Sequence, residues 1–131
     1  MESAYSNKEE RVEHILKQMI EACDFISEWN VGIKSVDDFV TSHEGMLRMS
    51  GSCMMIEAIG EEIKKIEKLL PDFLQENAPE ISWHEIKGLR NHIAHGYFKL
   101  DADIVYDVVV NNIPELRATL ERLAHNLSAK H

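Results

Sequence analysis

Apolar residues recur at helical intervals along nearly the whole chain. Val12, Ile15, Leu16, Met19, Cys23 and Ile26 fall three or four residues apart, with Glu, Lys and Arg between them. That spacing places one apolar stripe on a helix. Ser6-Asn7-Lys8-Glu9 has capping-box spacing, which predicts a helix start there, an end near Glu28, and a turn marked by Asn30 and Gly32. Ser35-Val36-Asp37-Asp38-Phe39 reads as a second cap and a short helix, and Thr41-Ser42-His43-Glu44 as a break and a new start. From there to about Leu70 the pattern predicts a long helix. Met49, Cys53, Ile56, Gly60, Ile63, Ile66 and Leu70 form one stripe, and Met46, Met54 and Met55 widen it. The extra width has two readings: methionines that fill gaps in the core, or a face that meets a partner subunit. Gly60 sits mid-helix, where it costs roughly 1 kcal/mol relative to Ala. A close helix–helix approach would account for it.

Pro71 closes that helix, and Pro71 to Ile81, with a second proline at Pro79, is expected to be a loop. Ser82-Trp83-His84-Glu85 is another capping-box spacing, opening a helix through Trp83, Ile86, Leu89 and Ile93. Gly96 is placed just past its end. Asp101 or Asp103 opens the last helical region, through Ile104, Val105, Val108, Leu116, Leu120, Leu123 and Leu127. Pro114 inside it either kinks one long helix or separates two. Val108-Val109-Val110 has no partner strand and is poor grounds for a sheet. The expectation is an all-α, up-down bundle of four to five helices with the last kinked at Pro114, formed by residues 1–131 as one domain.

Composition changes this picture little. No window approaches ~18 uninterrupted apolar residues, so no membrane span is expected. The first residues lack the basic and apolar regions of a secretory signal. Cys23 and Cys53 are isolated on apolar stripes, which reads as two reduced core thiols in a cytoplasmic protein.

Charge changes it more. The net charge is −9 with histidines neutral, which speaks against a protein that coats nucleic acid non-specifically. Between Ser82 and Leu100 the balance reverses: Lys87, Arg90 and Lys99 face only Glu85, beside His84, His92 and His95. This stretch holds the densest chemistry of the chain, Leu89-Arg90-Asn91-His92-Ile93-Ala94-His95-Gly96-Tyr97-Phe98. Arg90 supplies a permanently charged fork matched to phosphate oxygens. A histidine such as His95 can take a proton from a nucleophile or give one to a leaving group, and Asn91 can orient either. RNA carries its own nucleophile, the ribose 2′-OH, so neither a metal nor a covalent intermediate is required. Asn91 and His95 are one turn apart and share a face. Arg90 and His95 are ~140° apart around a continuous helix and do not. Either the helix ends before His95, or a dimer brings two copies of the strip together. His92 and His95, with His84 two turns upstream of His92, offer a pair or trio of imidazoles, but no cysteine lies near and no local carboxylate is at a recognised spacing to complete a zinc site. Glu57, Glu61 and Lys65 read as a solvated ion-pair row. Phosphate-loop and Ser/His/Asp arrangements are absent. Tyr97 is either a half-buried packing ring or an exposed phenol.

The pattern Trp83-x-x-Ile86-x-x-Leu89-Arg90-Asn91-x-x-x-His95-x-Tyr97-Phe98 resembles the signature of the HEPN superfamily and, within it, the HepT-like toxins. Ile59-Gly60-Glu61 is similar to a Gly-Glu step in the long helix of that group, and Ile104-Val105-Tyr106 through Ile113-Pro114-Glu115-Leu116 to its last helix. The resemblance runs from about Val12 to Leu123. It implies a five-helix bundle that forms a homodimer, with both motifs lining a cleft at the interface. It implies metal-independent RNA cleavage, without a cofactor, leaving a 2′,3′-cyclic phosphate, with Arg90 and His95 catalytic and Asn91 supporting. It further implies a partner, an MntA-type minimal nucleotidyltransferase antitoxin that adds AMP to Tyr97. The rival expectation is a non-catalytic, AMP-accepting subunit of such a nucleotidyltransferase complex.

Overall fold

A computed structural model describes the backbone of residues 3–95 and 101–130 and the side chains of residues 7–94 and 101–130. The elements are α1 (Ser3–Trp29), α2 (Asp37–Val40), α3 (His43–Leu69), α4 (Phe73–Asn77), α5 (Trp83–His95), α6 (Ala102–Asp107), a π-helical turn (Val108–Asn112) and α7 (Ile113–Ala129). Among the described residues there is no strand. The fold is all-α, as the periodicity predicts.

The stripes become one apolar core. Val12, Leu16, Met19, Cys23 and Ile26 of α1 are sealed from solvent against Ile56, Ile59, Ile63 and Ile66 of α3 and Leu120, Leu123 and Leu127 of α7. Each such aliphatic side chain contributes about 1.5–3 kcal/mol of burial free energy. α1 and α7 run antiparallel, with Asp24 paired to Arg117 (2.9 Å) and Glu9 to Lys130 (3.8 Å). α3 and α5 are also antiparallel, with Glu67 facing Lys87 and Glu61 facing Arg90. Of the methionines that widen the α3 stripe, Met46 and Met54 are exposed beside Leu47, while Met55 packs half-buried against the core.

Local chemistry explains the turns. Asn30, buried at the end of α1, donates through Nδ2 to the Ile26 carbonyl (2.7 Å) and to Ser52 Oγ on α3 (2.8 Å). Gly32 follows with φ +89°, a left-handed conformation that glycine takes without steric cost. Asp38 reaches back to the backbone N–H groups of Lys34 and Ser35 (2.7 and 3.1 Å). Ser42 accepts from the Gly45 N–H (2.9 Å) and caps α3, where a cap and new start are expected.

Two expectations are revised. α1 begins at Ser3, so Ser6 lies inside the helix rather than at its cap. Glu9, assigned to a capping box, is instead a buried carboxylate near Lys130. Pro71 to Ile81 is not loop throughout: it contains α4, which places Leu74 in the core. Trp83 Nε1 then donates to the Ala78 carbonyl (3.0 Å), and Arg122 of α7 ties down Asn77 and Glu80. Of the two readings at Pro114, one long helix altered there or two separate helices, the continuous helix is adopted. The helix widens by one turn, and the Ile113 N–H reaches the Val108 carbonyl. A π turn of this kind absorbs the missing proline donor. The Gly96 helix end lies outside the described residues.

Burial pushes the Cys23 thiol up to about 12, with Asp24 adding to the effect, and the Cys53 thiol up to about 11, with Glu57 adding. Their contribution to stability is whole below pH about 9 and is lost as pH rises through 9 toward 11–12. In the folded protein neither thiol is expected to react with an aromatic disulfide reagent at pH 8; both should react in denaturant, and rapid native labelling would contradict the burial. Asn30→Ala should lower unfolding free energy by about 1–2 kcal/mol in urea titrations, because it leaves the Ile26 carbonyl and Ser52 without their donor.

Candidate active-site strip on the fifth helix

α5 is docked onto α3 by an unusually close approach at Gly60. A Cβ at that position would stand 2.6 Å from Arg90 Cβ and 2.8 Å from its Cγ. Glycine is therefore required here by the stem of Arg90 lying across the helix backbone. The next residue, Glu61, meets the head of the same side chain: Arg90 Nη2 lies 2.8 Å from Glu61 Oε1. Arg90 Nη1 donates to Asn91 Oδ1 (3.0 Å). Arg90 Nε is buried and has no hydrogen-bond partner among the described residues. The guanidinium is thus held from two sides, with a quarter of its side chain exposed. One turn earlier, Lys87 Nζ sits 2.9 Å from both Glu67 carboxylate oxygens. Pairs this exposed stabilise by at most about 1 kcal/mol. Their consequence is orientation.

The strip divides between the faces of α5. Arg90 and Ile93 face α3, whereas Asn91 and His92 are exposed. The helix is continuous through His95. An end before His95, which would let the histidine fold back toward Arg90, is therefore not the arrangement adopted. His95 falls one turn beyond Asn91 and ~140° around the axis from Arg90. The structure brings Arg90 and Asn91 into direct contact. The His95 side chain and Tyr97 lie outside the described residues. Among the described residues no three His, Cys, Asp or Glu side chains converge as a metal site would need, and no helix is long and apolar enough to cross a membrane.

Glu61 is the residue whose position in a solvated row with Glu57 and Lys65 is overturned. Its partners are Arg90 and, at 3.9 Å, Lys64, while Lys65 pairs with Glu62 (3.0 Å). The signal was Gly60: a mid-helix glycine marks a close approach, and the residue beside it meets whatever approaches.

This geometry defines a helical-bundle protein with an arginine fork clamped at a helix–helix seam, beside exposed polar groups on the same helix. The chain belongs to the ribonuclease HepT-like family, whose model matches residues 19–123. It is 30% identical over 112 residues to the protein named "Putative RNase TTE0752" of Caldanaerobacter subterraneus subsp. tengcongensis, covering 86% of this chain and 89% of that one. It is 29% identical over 108 residues to "Probable ribonuclease HepT" of Thermococcus cleftensis, covering 82% and 91%. No solved structure matches.

Gly60 and Gly88 predict opposite outcomes. Gly60→Ala should destabilise the protein by about 1–3 kcal/mol, because α5 must move away from α3. Gly88→Ala, where a Cβ meets nothing within 4 Å, should stabilise it by up to about 1 kcal/mol. Unfolding midpoints of both variants check the pair; equal shifts would contradict the close approach.

Proposed function

We propose that the chain is a metal-independent endoribonuclease and the toxin of a type VII-like toxin–antitoxin pair. The observation that carries this reading is the clamped Arg90. Glu61 and Asn91 hold its fork, while family membership supplies the ribonuclease class. In the proposed reaction the ribose 2′-oxygen attacks the adjacent phosphorus. The 2′-O–P bond forms, the P–O5′ bond breaks, and a 2′,3′-cyclic phosphate and a 5′-hydroxyl result. Arg90 stabilises the charge that develops on the pentavalent phosphorane. His95 moves the proton, as base toward the 2′-OH or as acid toward the leaving O5′. Asn91 supports Arg90 through its Oδ1.

The continuous α5 supports a homodimer. With Arg90 and His95 about 140° apart around one helix, a second copy is one way to bring the two kinds of group to one phosphate. In this reading an MntA-type minimal nucleotidyltransferase is the antitoxin. It transfers AMP from ATP to the Tyr97 hydroxyl, forming the O–Pα bond as the Pα–O–Pβ bond breaks and pyrophosphate leaves, which places negative charge and bulk beside the RNA cleft. A second reading, a non-catalytic AMP-accepting subunit of the same complex, is favoured by the net charge of −9, which repels RNA outside the strip.

Cleavage of a cellular RNA pool should persist in EDTA and fall at least about 100-fold in Arg90→Ala and in His95→Ala. Mixing those two inactive variants should restore about a quarter of wild-type activity if one copy's arginine works with the other's histidine. No restoration would place both groups in one chain. A wild type that cleaves no RNA, or His95→Ala that cleaves as well as wild type, would sink the ribonuclease reading. Intact mass after co-expression with the nucleotidyltransferase should show an added AMP that Tyr97→Phe lacks.

A further inference from the structure

A groove of about 680 Å³ lies between α5 and the run α6–π turn–α7, on the side of α5 away from Arg90. Its floor is apolar: Ile59, Ile113 and Leu116. Leu89 forms one wall, and Ile104 and Val108 the other. Ile104 is 45% exposed, so the apolar surface opens to solvent rather than closing into the core. Glu85, Asp103, Asp107 and Glu115 line the same groove beside one imidazole, His92, and among the described residues no Lys or Arg does. Glu85, Asp103 and Glu115 each stand in the first turn of a helix, where the dipole favours a carboxylate. Helix stability accounts for these three singly, and Asp107, at the end of α6, accepts from Asn111 Nδ2 (2.6 Å). Neither accounts for their convergence on one apolar groove.

We infer that this groove is a docking site for a protein segment that carries apolar anchors flanked by Lys or Arg, most simply a basic amphipathic helix. Charge complementarity and length select that occupant. Four carboxylates around an apolar floor call for several spaced cations, which one small ligand does not supply. From Ile104 to Leu116 the groove follows ~18 Å of helix axis, the span of several helical turns. A second copy of this chain fits poorly, because a two-fold contact would bring the two acidic rims together. The inference is independent of the reaction proposed for Arg90 and His95.

The probe is a fluorescein-labelled amphipathic peptide of about 16 residues, with Leu at helical spacing and Lys elsewhere, read by anisotropy against the full chain. Roughly micromolar binding is expected. Asp103→Lys/Asp107→Lys should weaken it at least about tenfold, and Glu10→Lys/Glu21→Lys on α1, with the same change in net charge, less than about threefold. Ile104→Asn, which leaves the charges intact, should weaken it about fivefold or more. Circular dichroism confirms folding. If the reversal loosens the fold, Asp103→Asn/Asp107→Asn against Glu10→Gln/Glu21→Gln carries the same comparison. Equal weakening by the groove and α1 pairs would show general electrostatic attraction and overturn the inference. So would no binding up to roughly 100 μM. Sedimentation in which Ile104→Asn converts a dimer to a monomer would also overturn it, by assigning the groove to a second copy.

Discussion

The orientation of α5 rests on a missing methyl group. With glycine at position 60, the Arg90 stem can lie against the α3 backbone; a Cβ there would stand 2.6 Å from Arg90 Cβ, well inside contact distance. This steric condition outweighs the ion pair beside it, since a partly exposed Arg–Glu contact is worth at most about 1 kcal/mol. Shape sets the distance between the helices, and Glu61 and Asn91 then aim the guanidinium. The rotation of α5 follows. Once Arg90 faces α3, Asn91 is turned outward and Leu89 toward the groove beside α6.

Much of this architecture was legible in the pattern of apolar positions. The stripes of α1, α3, α5 and α7 are the core, and the Ser42 cap and the Asn30–Gly32 turn stand where their chemistry predicts. What escaped was tertiary. The one-turn helix α4 forms because Leu74 reaches the core, in a stretch whose prolines read as loop. Glu9 has the spacing of a capping residue, but the helix begins before it and its carboxylate is buried near Lys130 of the C-terminal end. Glu61 has an i,i+4 lysine, yet the partner at 2.8 Å is an arginine from another helix. Helical spacing names neighbours along one helix and is silent about those across a seam.

The acidity of the chain and the chemistry of its strip belong to different regions. Arg90 and Lys87 sit on the α3 side of α5, each met by a glutamate of α3. Four carboxylates gather on the other side, around the apolar groove. α5 therefore separates a seam where arginine and lysine are each matched by a glutamate from a surface where, among the described residues, carboxylates face no lysine or arginine.

The widened turn at Val108–Asn112 also makes this region sensitive to residue count. A π turn accommodates an additional residue without ending the helix. With that residue removed, the run would revert to ordinary α geometry and the distal half would rotate by ~100° about its axis. Ile113, Leu116, Leu120 and Leu123, all buried now, would swing out of the core together. Insertions and deletions are therefore constrained here by phase, whatever the identity of the residue gained or lost, and the length of this turn is as much a part of the core as the leucines that follow it.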